Sequence, residues 1–560
     1  MRTRRLADRG MKCAALAALC WLAATGTARE ARGMQGAAPP ATSPYQPGID
    51  VLDYDIRLEL PDTGAFLRGD VAVLAKRSPS VARLRLDLLD AMTVRAVEVN
   101  GRPVTAARAR NRIDIPLDGA AGDSVHVRVT YDGVVSDGLV VRRDARGRWT
   151  WFGDNWPDRA RHWLPTVDHP SDKATVSWSV RAPTGRLVVA NGELLDTRRL
   201  SGRDAGRTET RWRESRPIAT YLMVIAAGPL VRFDLREPDC HYGDRGQCVR
   251  QSIYVMPENR KWLPGPFLSA GPIMLLFEGL IGPFPYEKLA HLQSSTRFGG
   301  MENASAIFYD DKLFSRPTIS DDLIAHETAH QWFGDAVTER EWADVWLSEG
   351  FATYFAALWQ QYIRGDGAFQ KVMRENRVKI LADPVVAARP VIDTAETNYL
   401  ALLNVNSYQK GGYVLYMLHR QLGDSAFFRG IKSYYATYRH GNASSDDLRR
   451  ELEKASGQPL SQFFDQWLRR PGVAEPAIGW AYDDSLHTVS LFVLQEGPRG
   501  SFELPLTVEV TDADNREQRL LVHVPAEGRA TVPLPGQFAR KPKSVTFDPD
   551  SFLLARITRL

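Results

Sequence analysis

His326-Glu327-Thr328-Ala329-His330 lies within an apolar-periodic stretch of a 560-residue chain, and that stretch contains neither Pro nor Gly. Residues four apart share one face of an α-helix, so the spacing predicts a helix over 323–333 whose two imidazoles reach a common ion. Neutral imidazole is a good zinc ligand, and Glu327 would project near the metal without binding it. Two histidines on a solvated helix would give the same pattern, so these five residues alone do not establish a metal site.

A third candidate ligand decides between these alternatives. Eighteen residues separate His330 from Glu349, which stands among apolar residues in a stretch, 346–363, whose period predicts a second and largely buried helix. A lone carboxylate there would be costly unless it were paired or bound to a metal. Two His and one Glu leave a fourth coordination position open, as a catalytic zinc requires. We therefore expect one Zn²⁺ on His326, His330 and Glu349, with Glu327 as the general base that takes a proton from water.

The sequence around these residues resembles the gluzincin aminopeptidases, the family that includes aminopeptidase N and the leukotriene hydrolases. The matching segments are His330-Gln331-Trp332-Phe333-Gly334, Trp346-Leu347-Ser348-Glu349-Gly350-Phe351-Ala352 and Gly299-Gly300-Met301-Glu302-Asn303. The last is similar to the family's Gly-Ala-Met-Glu-Asn motif, with Gly300 in place of Ala. The resemblance implies that residues 299–303 bind the substrate as an edge strand and that Glu302 holds its free α-amino group. A carboxylate in a closed pocket pairs with an ammonium and rejects a chain that continues past it.

Two further segments bear on the site. Tyr408-Gln409-Lys410-Gly411-Gly412 resembles the family's Tyr-x-Lys-Gly motif, which implies that the Tyr408 phenol donates a hydrogen bond to the oxyanion of the tetrahedral intermediate. The alternative is a tyrosine that only packs at a helix start. The family's second amine anchor, a Gln or Glu upstream of Ala160-Arg161, is not obvious in this chain, and Asp154 is the candidate in that segment.

The order of hydrophobic periodicities predicts a multidomain α+β protein. Residues 47–254 alternate polar and apolar positions in short runs, separated by turn signals such as Asn100-Gly101 and Asn191-Gly192, which predicts a mostly antiparallel β domain. In 255–472 the period becomes helical, and the resemblance implies a thermolysin-like zinc peptidase domain there. Alternation returns in 476–560 and predicts a C-terminal β-sandwich. The predicted helices cover 323–333, 346–363, 413–422 and 448–455.

The N-terminus predicts export. Residues 1–28 contain a basic head, an apolar run over 13–24 and a small-residue exit, which is the pattern of a cleaved signal peptide. The run is too short for a membrane span of about 20 residues, so we expect no stable membrane anchor after cleavage. A buried helix is the alternative, while bulky Leu19 before Cys20 disfavours a lipoprotein signal. Residues 29–46, rich in Ala, Gly and Pro, predict a flexible linker.

Removal of residues 1–28 on export would change both the net charge and the number of cysteines. The formal net charge of +4 belongs to the signal peptide, so nothing in the composition calls for a nucleic-acid partner. We expect a periplasmic or secreted protein. Cys240 and Cys248 would then remain in a short Gly-containing segment, and an oxidising compartment favours a disulfide between them. Metal binding by the pair with His241 is the alternative, although no complete set of four ligands is visible nearby.

Together the residues and the resemblance predict a zinc-dependent aminopeptidase that acts on peptides with a free N-terminus. A zinc endopeptidase would share the triad but would have no use for Glu302. A leukotriene-type epoxide hydrolase could use the same zinc, although no residue here singles it out. A non-catalytic peptide-binding scaffold would be expected to lose a ligand or the base, and all are present. The sequence indicates neither the preferred N-terminal residue nor the oligomeric state.

Overall fold

The structure is a computed structural model that describes residues 45–117, 123–235, 241–242, 248–315, 319–497 and 499–560. A β-rich part, a mainly helical part and a second β part follow one another, which confirms the predicted α+β class. The predicted signal peptide and most of the predicted linker lie outside the described residues. Cys240 lies outside them as well, so its disulfide with Cys248 stays a prediction.

The first part is built on an eight-stranded sheet within the described residues. Its strands alternate buried and outward residues, as in Ile49–Glu59, because one face packs on the core while the other meets solvent. In spatial order the strands are Glu193–Arg199, Arg207–Ala219, Lys173–Pro183, Ile49–Glu59, Phe66–Arg77, Ser124–Val134, Thr93–Val99 and Arg102–Pro103. Ile49–Glu59 pairs in parallel with Lys173–Pro183, and the other pairs are antiparallel.

Two smaller sheets complete this part. Their strands are Leu187–Ala190, Ile225–Gly228, Trp149–Gly153 and Leu139–Arg143 in one, and Arg83–Asp87, Arg112–Pro116 and Ala107–Ala109 in the other. The two turns predicted from Asn-Gly pairs differ in the strands that they connect. Asn100 and Gly101 both have positive φ and close a hairpin, whereas Asn191-Gly192 joins strands of two different sheets. Asn191 Nδ2 donates to the Ala304 carbonyl at 2.7 Å, and this corner therefore supports the segment that follows residue 303.

The middle part contains a sheet whose edge strand belongs to the predicted substrate segment. In spatial order its strands are Val231–Asp234, Cys248–Val255, Lys288–Ser294, Ala306–Asp310 and Gly300–Met301, and His241–Tyr242 pairs with Cys248–Val255. Gly300–Met301 is antiparallel to Ala306–Asp310. Since Cys248–Val255 belongs to this sheet, the predicted boundary between residues 254 and 255 falls inside a strand.

The described residues of the middle part form nine α-helices. They are α1 (Ala270–Leu280), α2 (Lys312–Ser315), α3 (Asp321–His330), α4 (Trp346–Arg364), α5 (Asp366–Ala382), α6 (Pro384–Ala388), α7 (Gly411–Tyr438), α8 (Ser445–Ser456) and α9 (Ser461–Phe464). The helix predicted over 413–422 continues as α7 because a second helical segment follows Gly423, whose φ of +75° breaks the helical geometry. Among the described residues, none of the helices combines the length and the apolar character that crossing a membrane requires.

The last part consists of two small sheets. Their strands are Arg529–Pro533, Thr488–Leu494, Ala477–Asp483 and Thr558–Arg559 in one, and Glu517–Val524, Leu504–Thr511 and Ser544–Phe547 in the other. A short pair, Val337–Glu339 with Gly441–Ala443, lies in the middle part. Hydrogen bonds from Arg377 on α5 connect the last part to the helices. Its guanidinium donates to the carbonyls of Leu553 and Ala555, both at 2.8 Å.

Candidate active site

Helix α3 presents the two histidines. It begins with a capping bond, in which the Ser320 hydroxyl accepts from the Leu323 amide, and Asp321 and Asp322 stand in its first turn. Acidic residues there interact favourably with the helix dipole. Both histidines lie within its ten residues, and their spacing of four brings them onto one face. The predicted helix over 323–333 is therefore confirmed, with its end at residue 330.

Glu349, in the first turn of α4, completes a compact ligand set. His326 Nε2 lies 3.1 Å from His330 Nε2, and Glu349 Oε2 lies 3.3 Å and 3.4 Å from these two nitrogens. A tetrahedral ion with bonds of about 2.0–2.1 Å requires ligand separations of about 3.3–3.4 Å. Glu349 Oε2 is buried and makes no hydrogen bond to any described residue. The three residues thus fit a Zn²⁺ in spacing, donor type and available lone pairs.

The second ring nitrogen of His330, Nδ1, also has polar partners. His330 Nδ1 lies 3.3 Å from the Phe333 carbonyl and 2.9 Å from the Ser348 hydroxyl. A carbonyl can only accept, so the bond to Phe333 places the ring proton on Nδ1 and leaves the Nε2 lone pair for a metal. No role was predicted for Ser348. The sequence indicates it only as a small polar residue beside Glu349, at the start of a mainly apolar helix.

Glu327 packs against the edge strand. Its carboxylate is buried, Oε2 makes no hydrogen bond to a described residue, and burial raises its pKa well above the ordinary range. A Cβ atom on Gly300 would lie 2.1 Å from Glu327 Oε1 and 2.4 Å from its Cδ. The glycine that replaces the family's alanine therefore provides the space in which this carboxylate lies.

Glu302 lies close to both Glu327 and His330. One carboxylate oxygen of Glu302, one of Glu327 and a ring nitrogen of His330 are all within 4.8 Å of one another. Burial is the main cause that raises the pKa of Glu302. The Gln331 amide fixes the backbone here, because its Nε2 donates to the Glu302 carbonyl and its Oε1 accepts from the Ser305 amide, both at 2.8 Å. Sequence reasoning gave Gln331 no role, although it follows His330 directly.

The neighbouring residues of the substrate segment differ in their surroundings. Met301 lines the cavity together with Gly300, whereas Asn303 is fully buried. Neither polar side-chain atom of Asn303 has a hydrogen-bond partner within the described part of the chain. Gly299 accepts a hydrogen bond from the Asp310 amide at 3.1 Å, which extends the pairing of the edge strand.

Tyr408 reaches the site from a π-helical turn, Asn406–Lys410, that leads directly into α7. Its hydroxyl donates to Glu349 Oε1 at 2.7 Å, and its ring is nearly parallel to the His326 ring at 6.0 Å. Burial raises the pKa of the phenol well above its ordinary value, so the group is a neutral donor. Single π-turns are frequent at functional sites because they re-aim one side chain.

Asp154 is not placed to hold an amine. Its side chain is fully buried, and Arg159 donates to it at 2.7 Å while Arg297 Nε lies 3.5 Å away. The cavity of about 40 Å³ is lined instead by Trp156, Phe298 and Leu403, beside the residues already described. These three come from separate segments, and no motif of the sequence marks Phe298 or Leu403.

Comparison with known proteins agrees with this geometry. The model of the peptidase M1 N-terminal domain matches residues 54–222, and that of the peptidase family M1 domain matches residues 271–467. The chain belongs to peptidase family M1. All residues predicted for the zinc site, the base, the amine anchor and the oxyanion donor fall within the second match. M1 peptidases and the ligand set described above together imply one catalytic zinc.

Several M1 relatives are similar to this chain over much of its length. Probable aminopeptidase 2 of Sulfurisphaera tokodaii is 27% identical over 63% of the chain and 45% of the relative. Aminopeptidase N of Streptomyces lividans is 27% identical over 80% of the chain and 53% of the relative. The chain thus spans about half the length of these curated relatives. Among solved structures, the M1 zinc metallopeptidase from Deinococcus radiodurans is 27% identical with a TM-score of 0.65, over 75% of this chain and 93% of that one.

Proposed function

We propose that this M1 chain is a zinc-dependent aminopeptidase that removes the N-terminal residue from peptides. The position of Glu302 carries the proposal. Its carboxylate oxygen lies within 4.8 Å of a ring nitrogen of His330. An extended chain advances about 3.3–3.6 Å per residue, so an ammonium on Glu302 lies no more than about one residue from a carbonyl at the zinc ligands. Relatives named as aminopeptidases support the same activity.

The zinc would be held by His326, His330 and Glu349. Bound there, it supplies polarisation of the scissile carbonyl and acidification of water. Glu327 takes the proton of the attacking water and passes it to the leaving amine. Its carboxylate is free for this work because one oxygen makes no hydrogen bond to any residue described.

Two residues position and stabilise the substrate in this proposal. Glu302 pairs with the free α-ammonium and closes the site to longer N-terminal extensions, while the edge strand Gly300–Met301 lies along the substrate backbone. The Tyr408 hydroxyl, which donates to Glu349 Oε1 in this structure, turns its proton to the oxyanion. One solved M1 relative from Deinococcus radiodurans was crystallised with the peptide Tyr-Ser-Ala, which supports peptides as the substrate class.

We further propose that the protein is exported and acts in the periplasm or outside the cell. The pattern of residues 1–28 supports this location. A disulfide between Cys240 and Cys248 belongs to the same proposal, because an oxidising compartment favours it. Mass spectrometry of the mature protein, before and after reduction, tests both statements.

The general-base role is tested by Glu327→Gln. This variant should keep one zinc per chain but lose about 10²- to 10⁴-fold in kcat, because the amide cannot accept the proton. Glu375→Gln, an exposed exchange of the same type on α5, is the matched control and should retain wild-type activity. Zinc content is measured by atomic absorption. Substantial turnover by a zinc-loaded Glu327→Gln enzyme would remove Glu327 from the mechanism.

A further inference from the structure

We infer that the site selects large apolar N-terminal residues and rejects acidic ones, through a wall formed by Trp156, Phe298 and Leu403. This inference rests on the proposed aminopeptidase function and specifies its substrate class. Once the zinc ligands, Glu327, Tyr408 and the substrate strand are accounted for, these three side chains are what remains of the described cavity lining. The first side chain of a peptide held by Glu302 therefore points to an apolar surface.

The wall is apolar and already in place. The Trp156 and Phe298 rings meet edge to face at 6.2 Å, and Trp156 also packs edge to face on Trp342 at 5.2 Å. A preformed wall does not need to be ordered when substrate binds, which favours binding. Each additional methylene group that a substrate buries in a hydrophobic pocket raises kcat/KM about tenfold. A leucine or phenylalanine side chain should therefore be preferred to alanine by at least that factor.

Ion pairs hold the wall in place. Arg159 donates to the Trp156 carbonyl at 2.7 Å and to Asp154 at 2.7 Å. Arg297, directly before Phe298, donates through its amide to Asp154 and through its guanidinium to Asp137 at 3.2 Å. Arg159 also donates to Asp137 at 2.9 Å. Both of these arginines are thus paired with carboxylates, Arg159 in a buried pair and Arg297 in a partly exposed one.

Among the described residues, the cavity holds carboxylates but no lysine or arginine with which an acidic substrate could pair. Carboxylates of Glu302, Glu327 and Glu349 line it, and no Lys or Arg is among the described lining residues. A substrate aspartate or glutamate would leave water for an apolar wall that offers no cation, and burying an unpaired charge is costly. A neutral apolar side chain bears no such cost.

A panel of aminoacyl fluorogenic substrates tests the inference on the zinc-loaded full-length protein. We expect kcat/KM for the Leu and Phe substrates to exceed that for Ala by at least about tenfold. For the Glu substrate, kcat/KM should be about 1% or less of the value for the Leu substrate. Preference for Ala or comparable turnover of Glu would overturn the inference while leaving the aminopeptidase function intact. Hydrolysis of none of these substrates would overturn the function itself.

Variants of the wall separate specificity from folding. Phe298→Arg places a cation in the cavity and should raise the Glu-to-Leu ratio of kcat/KM at least tenfold over Phe298→Gln, which adds polarity without charge. Leu403→Ala should lower kcat/KM for the Leu and Phe substrates about tenfold and leave kcat/KM for the Ala substrate within twofold of the wild type. Because these readouts are ratios within one protein, a partly misfolded fraction does not change them. Equal ratios in all variants would show that the wall does not select the substrate.

Discussion

Glu302→Gln is the substitution that tests the exopeptidase geometry most sharply. The side chain is 7% exposed, and the amide has nearly the same shape as the carboxylate but lacks its charge. The backbone of the segment should stay in place, because the Gln331 amide holds the Glu302 carbonyl. The zinc ligands are untouched. The change therefore removes the partner of a substrate ammonium and little else.

The magnitude follows from the burial of Glu302. An ammonium about 2.8 Å from the carboxylate, at an effective dielectric constant of about 20, gains about 6 kcal/mol from the Coulomb interaction. Loss of ammonium hydration offsets much of this, and a charge-assisted hydrogen bond contributes about 1.5–3 kcal/mol net. At about 1.4 kcal/mol per factor of ten, Glu302→Gln should lower kcat/KM about 10- to 150-fold.

The assay compares a free and an N-acetylated leucine substrate. The wild-type enzyme should discriminate strongly in favour of the free amine, and Glu302→Gln should lose most of that discrimination at unchanged zinc content. Glu375→Gln on α5 is again the control. A Glu302→Gln enzyme within twofold of the wild type on the free substrate would refute the assignment of the amine to Glu302.

Three further outcomes are expected. Ser348→Ala removes a partner of His330 Nδ1 and should weaken zinc binding about tenfold, measured by competition with a chelator. Gly334→Ala should lower the free energy of unfolding by more than about 1 kcal/mol in a denaturant titration, because φ is +114° and a Cβ would lie 2.2 Å from Ser348 Oγ. Burial lowers the pKa of His291 to about 3. The unfolded chain therefore binds the extra proton below about pH 6.5, and stability should fall from there towards pH 3, less steeply in His291→Gln.

The parts of the site that helical spacing determines could be predicted from the sequence. His326 and His330 are four residues apart, and Glu349 stands in an apolar helix where a carboxylate needs a partner. The geometry of α3 and α4 then brings the three together. The substrate strand and Tyr408 were identified by resemblance, and the structure places Glu302 and Tyr408 beside the same triad.

What could not be predicted depends on contacts between distant segments. Asp154 was a candidate amine anchor by its position, but Arg297, 143 residues away, helps to hold it in a buried ion pair. Trp156, Phe298 and Leu403 meet only in the folded chain. The extension of α7 was missed because Gly423 reads as a helix end, whereas a second helical segment follows it directly.

The removal of single N-terminal residues is tested most directly by a time course of an unmodified decapeptide and its N-acetylated copy with the zinc-loaded protein, followed by mass spectrometry. We predict that residues leave the free peptide one at a time from the N-terminus, that the acetylated copy stays intact, and that chelation stops the reaction. Internal fragments, or equal cleavage of both peptides, would contradict the account and indicate a zinc endopeptidase.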